Sequence, residues 1–486
     1  MMKIKGLKIK GIEDIKESFK TRQVRYGGYA ALLTLAVIAG LILVNLIAGQ
    51  FQPQVDLTYG KIYSLSEQTL QVLETVKIPV RFYGLWRPGE ENQDVISIVN
   101  LYLSKNRNIS MDVIDPDRNP GFVNRYDKER QGISRGSLIV EGAKGFKVIA
   151  PGDMYDYSSF QSGSNSITGI AIERRITNAL LYAGTGNTPV VYEITGHGET
   201  PLSAYGIQDV IERENFTLKS LNLLVASIPS DASALILNNP KRDLAAAEAE
   251  KLLNYLEKGG RLLVTVNHNI REISGLNEVL ASYGLEFIYG IVHETDLYYV
   301  VIDPSTEWPD LSDHEITKPL ADKNKTPVVL AEAMALSLLD TKRMTVEISP
   351  LMTSSAGAFL RTNLDDVSVA KTPSDVSGPL ILGAAVKDPS WVQNNEPQAR
   401  IVVIGCGYLL DFATLGIDAN RDLFMNSLTW LEDRPETISL RSKSVFVLPL
   451  RMNMVRIIIF GALFIIAIPA AFFISGLVTW LKRRHL

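Results

Sequence analysis

Residues 192–201 read YEITGHGETP, and the fold turns on how this stretch is read. The run that enters it, "PVVYEIT" (189–195), has the length and apolar content of a buried strand. The run that leaves it, "AYGIQDVIEREN" (204–215), has the spacing of an amphipathic helix. A strand, a sharp corner and a helix together open an α/β sheet. Such sheets place ligands beyond the carboxyl ends of their strands, which is where His197 and Glu199 fall.

Downstream the alternation continues. Strands are expected at "TLKSLNL" (217–223), "ALILNNP" (234–240) and "GRLLVTV" (260–266), and helices at "AAAEAEKLLNYLEKG" (245–259) and "ISGLNEVLASYG" (273–284). Apolar strands alternating with amphipathic helices predict a parallel sheet covered on both faces. Residues 290–395 are less regular, with β-like runs "RMTVEISPL" and "PLILGAAVK", and with "DLYYVVIDP" (296–304) as an edge strand. The run "ARIVVIGCGYLLDF" (399–412) restores a buried strand, and "NRDLFMNSLTWLEDR" adds a helix. The sheet is thus expected over 189–435, in a domain of 170–435 with a β-rich insertion around 290–395.

Upstream a smaller block, 56–155, shows its own order. Ser64 or Ser66 caps a first helix that carries Leu65, Leu70 and Leu73. Strand "VRFYGLW", helix "DVISIVNLYLSKN", strand "ISMDVID", a helix from Pro120 ("PGFVNRYDKERQG") and strands "GSLIVEG" and "GFKVIA" follow. This β-α-β-α-β-β order predicts a thioredoxin-like domain. Its chemistry does not follow, because the place of the thiolate reads "WRPGEENQD". The small-residue stretch "YDYSSFQSGSNSITG" (155–169) reads as a loop, and "AIERRITNALLYAG" as a helix leading into the second block.

Both ends carry apolar runs without charge, 26–50 and 457–481. Each is long enough for a transmembrane helix, the second expected over 455–481 with a kink at Pro469. Eight Lys/Arg precede the first run within 25 residues and three follow the second (Lys482, Arg483, Arg484). Basic flanks stay on the cytoplasmic side, so the tails 1–25 and 482–486 are expected inside and the body outside. The tails hold 11 of the 49 Lys/Arg and 3 of the 53 Asp/Glu, which leaves the body strongly acidic and argues against nucleic acid.

Chemistry is sparse. The single cysteine, Cys406, excludes a disulfide or a multi-cysteine zinc site and reads as a buried thiol. There is no G-x-S-x-G, and "GTGNTP" (184–189) precedes a strand and lacks the Lys-Ser/Thr ending of a phosphate loop. "DPDRNPG" (115–121) is a turn rather than a calcium loop. His197 and Glu199 remain as ligand-binding candidates; His268 and Asp411, at neighbouring strand ends, are available to join them. "GHGE" reads first as a corner built on glycine, second as a contact site, and only remotely as catalytic. No catalytic residue, metal or cofactor is expected.

The motifs "DLTYGKIYSLSEQT", "DPDRNP", "GSLIVEG", "ITGHGE" and "NRDLFMNSLTWL", in that order between two apolar ends, resemble a GldG-type auxiliary component of an ABC transport system, a group named for gliding motility. The resemblance implies a membrane-anchored extracytoplasmic protein working with a separate ATPase subunit and a polytopic permease. It also implies a central domain similar to the amidotransferase-like α/β sandwich (flavodoxin-like in class), shared with intraflagellar-transport proteins. The chain keeps the "GHGE" corner but no amidotransferase nucleophile. The alternatives are an ectoenzyme, a hydrolase of cell-envelope material centred on His197 and Glu199, and a peptide-binding scaffold. Cargo is left open.

Overall fold

A computed structural model describes residues 22–51, 56, 58, 61–127, 132–157, 167–321, 327–366, 368, 370–389, 398–414, 417–433, 443–444 and 461–484. Most of the N-terminal basic tail, the middle of the 155–169 stretch, residues 128–131 of the expected Pro120 helix, the start of the 455–481 span and the last two residues lie outside these. The chain forms two compact units, Met1–Leu57 and Thr58–Leu486. The first contains α1 (Arg22–Phe51), a helix of 30 residues that is exposed and, apart from Thr34 and Asn45, uniformly without polar side chains across Leu32–Leu46.

Within the second unit, a four-stranded sheet comes first. β1 (Val80–Leu85) lies parallel to β2 (Ile109–Ile114) and antiparallel to β3 (Leu138–Gly142), which pairs with β4 (Gly145–Ile149), giving the order β2-β1-β3-β4. Helices α2 (Glu67–Thr75) and α3 (Gln93–Lys105) cover one face, and Ser66 Oγ caps α2 by accepting from Thr69 N at 3.2 Å. The expected Pro120 helix is short, α4 (Pro120–Val123). Phe122 within α4 and Tyr126 just beyond it pack edge-on against Tyr83 and Phe146 on the other face.

The 155–169 stretch is not all loop. Its ends form β5 (Tyr155–Tyr157) and β6 (Ile167–Ile170), which pair with each other. Helix α5 (Ile172–Thr185) follows, and its buried Ile176, Ala179, Leu180 and Ala183 join the core of the four-stranded sheet. An amphipathic pattern reveals that a helix has a buried face; it does not reveal which sheet receives it.

The large sheet runs in the order Leu285–Ile288, Ala335–Leu338, Ile381–Asp388, Ala399–Ile404, Arg261–Thr265, Ala232–Asn238, Val190–Ile194, Thr217–Leu221. Its parallel part holds β7 (Val190–Ile194), β8 (Thr217–Leu221), β9 (Ala232–Asn238), β10 (Arg261–Thr265) and β15 (Ala399–Ile404). Side chains alternate between faces, as the period of two requires. Ala234 and Ile236 join Ile207 and Ile211 of α6 (Ile207–Arg213) and Leu423 and Leu428 of α10 (Asp418–Leu431). Leu235 and Leu237 join Leu252 of α7 (Ala246–Leu256) and Val279 of α8 (Ser274–Ala281).

Not all of this sheet is parallel. β11 (Leu285–Ile288), β12 (Ala335–Leu338), β13 (Glu347–Thr353) and β14 (Ile381–Asp388) extend it antiparallel. Only ten residues separate β14 from β15, too few for the helical crossover that parallel neighbours need, so the two must reverse. The stretch 296–304 is not an edge strand. Asp296 Oδ1 accepts from Tyr298 N at 2.9 Å and Asp303 Oδ1 from Ser305 N at 2.8 Å, turns that confine pairing here to an isolated antiparallel bridge, Val300 with Glu307.

Near the C-terminus, β16 (Lys443–Ser444) returns to pair with β6, and α9 (Leu409–Thr414) and α11 (Ile468–Arg484) complete the described helices. A π-helical turn, Ala462–Ala467, leads into α11 just before Pro469, where the ring prevents an ordinary helical bond. Ala462–Lys482 is a helix long and apolar enough to cross a membrane, and its residues are exposed.

Candidate functional site

In the large sheet, β7 leads to β8 at the edge, and the chain then crosses back to β9 on the other side of β7. The carboxyl ends of β7 and β9 therefore flank a topological switch point, where open α/β sheets form a crevice. The corner 195–200 leaves β7 here, and Asn239 to Asp243 leave β9. The two loops are tied together. Lys241 N and Arg242 N donate to His197 O at 2.8 and 3.0 Å, and an Arg242 guanidinium N–H donates to Gly196 O at 2.9 Å.

Glycine is required twice. Gly196 has φ +123° and Gly198 φ +79°, and a Cβ on Gly198 would lie 3.2 Å from Lys241 Cβ. Between them His197 turns inward and is 3 % exposed. Its Nδ1 lies 2.9 Å from Glu199 Oε1, and its Nε2 2.9 Å from Glu248 Oε2. Glu199 Oε2 also accepts from Gly196 N and His197 N at 3.1 and 2.8 Å. Glu248, on the first turn of α7, accepts from Ala245 N at 3.0 Å with the oxygen that meets the imidazole.

An imidazole between two carboxylates is best satisfied as imidazolium, with both ring nitrogens donating. The hydrogen bond to Glu199 raises the His197 pKa, and Glu248 adds to this against the opposing effect of burial. Burial pushes the Glu199 carboxyl up, but His197 and the backbone amides outweigh it and hold it below the ordinary value. The result is a closed, charge-assisted latch with no ring nitrogen left for a ligand.

Of the sequence candidates, the structure joins His197 to Glu199 and leaves the others outside the latch. His268 faces Glu332, with Nδ1 3.4 Å from Oε2. Asp411, at the start of α9, is raised by burial and opposed by the charge of Lys241. Sequence reasoning missed Glu248 and Glu193. Glu248 looks like an ordinary surface acid in "AAAEAEKLL", 51 residues from His197. Glu193 was visible as an acid inside an apolar strand; its Oε1 accepts from Leu202 N at 2.8 Å and pins the far end of the corner.

A cavity of about 390 Å³ lies elsewhere, between β4, α5 and α6. Charges line it, among them Lys147, Asp153, Arg175, Asp209, Glu212 and Arg213. Several are engaged across the seam: Arg213 with Asp153 at 3.1 Å and Arg175 with Glu214 at 3.0 Å. Burial and the adjacent Arg174 push Arg175 down to about 10. Among the described residues, no three His, Cys, Asp or Glu side chains are arranged to hold a metal ion.

Residues 188–432, the span of the large sheet, match a family described as an ABC-type uncharacterized transport system, its auxiliary component. The chain belongs to this family. Its members are auxiliary components of ABC transport systems. Among solved structures, the "mmIFT52 N-terminal domain" is similar at 16 % identity, over 50 % of this chain and 96 % of that one, with a TM-score of 0.36. No curated protein matches the chain.

Proposed function

We propose that this chain is a non-catalytic, membrane-anchored subunit that docks on the permease of an ABC transporter and guides cargo with its folded body. The observation that carries the reading is the family match over 188–432 combined with the exposed apolar helix Ala462–Lys482. In this reading α1 is a second span, both tails are cytoplasmic and the acidic body is extracytoplasmic, supported by the Lys/Arg bias of the flanks. Two spans are too few to enclose a path, and the sequence has no nucleotide motif, so passage and energy come from a permease and an ATPase subunit.

The GldG-type subclass belongs to the same reading, supported by the ordered motifs. The order β2-β1-β3-β4 with α5 behind it supports a thioredoxin-like first domain, and the parallel strands β8, β7, β9, β10 and β15 support a flavodoxin- or amidotransferase-like second one. His197 and Glu199 act here as structural parts of the latch. Purification of the full chain from its own membranes in mild detergent tests the proposal. An ATPase and a polytopic permease should co-elute; a chain that elutes without them ends this reading.

A further inference from the structure

The excursion between the strand Ile291–His293 and the strand Asp310–Leu311 is built inside out. Leu297, Tyr298 and Ile302 are 86, 87 and 74 % exposed and Trp308 is 40 % exposed, while Glu294 and Glu307 are 2 and 1 % exposed. Apolar groups point to solvent and carboxyls point to the core, the reverse of what folding alone would select.

This arrangement is held in place. Glu294 Oε1 accepts from Thr295 N and Asp296 N at 2.8 and 2.9 Å, and Trp308 N donates to Tyr299 O at 2.8 Å. Val301 N donates to Thr306 O, and Glu332 N ties Ser305 O to the neighbouring segment. The apolar side chains are therefore presented by a pre-ordered backbone, which lowers the entropy cost of binding.

Charge selects the occupant. No Lys or Arg occurs between Arg271 and Lys318, whereas that interval holds ten Asp and Glu, and Asp296, Asp303 and Asp310 beside the tip are exposed. An acid-rimmed apolar tip is repelled by anionic lipid and by a second copy of itself, and complements a cationic rim around an apolar floor.

We propose that the 294–311 tip is a docking surface for a protein that presents a basic patch with an apolar floor. The proposal goes beyond the transport reading and does not rest on it. The test uses the full chain in zwitterionic lipid nanodiscs and two amphipathic helical peptides of equal length, one Lys/Leu and one Glu/Leu, with empty discs as the blank. The Lys/Leu peptide should bind at least about tenfold more tightly than the Glu/Leu peptide, and more weakly as salt rises. L297S/Y298S/I302S should lose about tenfold in affinity, and D296N/D303N/D310N, which keeps the accepting oxygens, should lose the preference for lysine. Absence of binding, equal binding of the two peptides or an unchanged tip variant overturns the proposal. So does tip-dependent capture of zwitterionic or anionic vesicles, or a tip-dependent dimer.

Discussion

His197 and Glu307 are both almost sealed from solvent, yet their surroundings treat charge in opposite ways. At the corner after β7 a buried cation meets two carboxylates, and Glu199 is met by backbone amides as well. In the excursion, neither carboxyl oxygen of Glu307 has a partner, and burial, with Glu294 nearby, pushes its pKa up to about 8. Burial penalises charge at both places; only the corner supplies a counter-charge. The corner stabilises the fold through its ionic groups. The excursion instead holds its carboxyl protonated up to about pH 8.

The sharpest break of this contrast is His197→Ala. It leaves Glu199 and Glu248 buried without their cation and should cost about 3–5 kcal/mol in denaturant unfolding of the full chain. A loss under about 1 kcal/mol would mean that the latch is decorative. Next comes pH. Unfolded, Glu307 releases its proton near 4.5; folded, it holds it to about 8. Its contribution is complete below pH 4.5 and is lost as pH rises to about 8, by up to about 1.4 kcal/mol per pH unit. Glu307→Met should remove that decline and raise stability near pH 8. The raised His197 contributes in the same direction, losing its share as pH climbs through its folded pKa, whereas Glu199 loses its share as pH falls through its own. Exchange at the Lys241 and Arg242 amides, which bond to His197 O, should therefore be slowest between those limits.

Much of this was legible before any coordinates. Strands such as "VRFYGLW" and "GRLLVTV" and helices such as "DVISIVNLYLSKN" stand where their periodicity places them, because local pattern and packing agree there. The partner sheet of α5 was not legible, since long-range packing chooses it. Nor were the turns at 296–304, where "LYYVVI" has strong β propensity and two aspartates override it. At the corner, the need for glycine could be anticipated, but the inward turn of His197 and its contact with Glu248 could not: nothing in a helix sequence announces a contact 51 residues away.

Two smaller effects sharpen the comparison. Gly198→Ala should cost roughly 1–2 kcal/mol, because φ +79° strains an L residue beside Lys241, and thermal unfolding would show it. Smallest is Cys406, whose thiol burial pushes up to about 12; alkylation at pH 8 should leave it unmodified until the sheet unfolds.

Elsewhere, the Lys443 ammonium lies 2.6 Å from Glu173 Oε2 and also donates to Ser64 O, while Glu173 Oε1 accepts from Ser66 N and Oγ, both at 2.7 Å. This ammonium and carboxylate together knot stretches of chain 379 positions apart. A soluble body trimmed to the two sheets alone, stopping at 433, would unpick that knot, exposing β6 as a raw edge and stranding a buried anion. Anyone cutting the molecule free of its greasy ends must carry the thread through to Ser444.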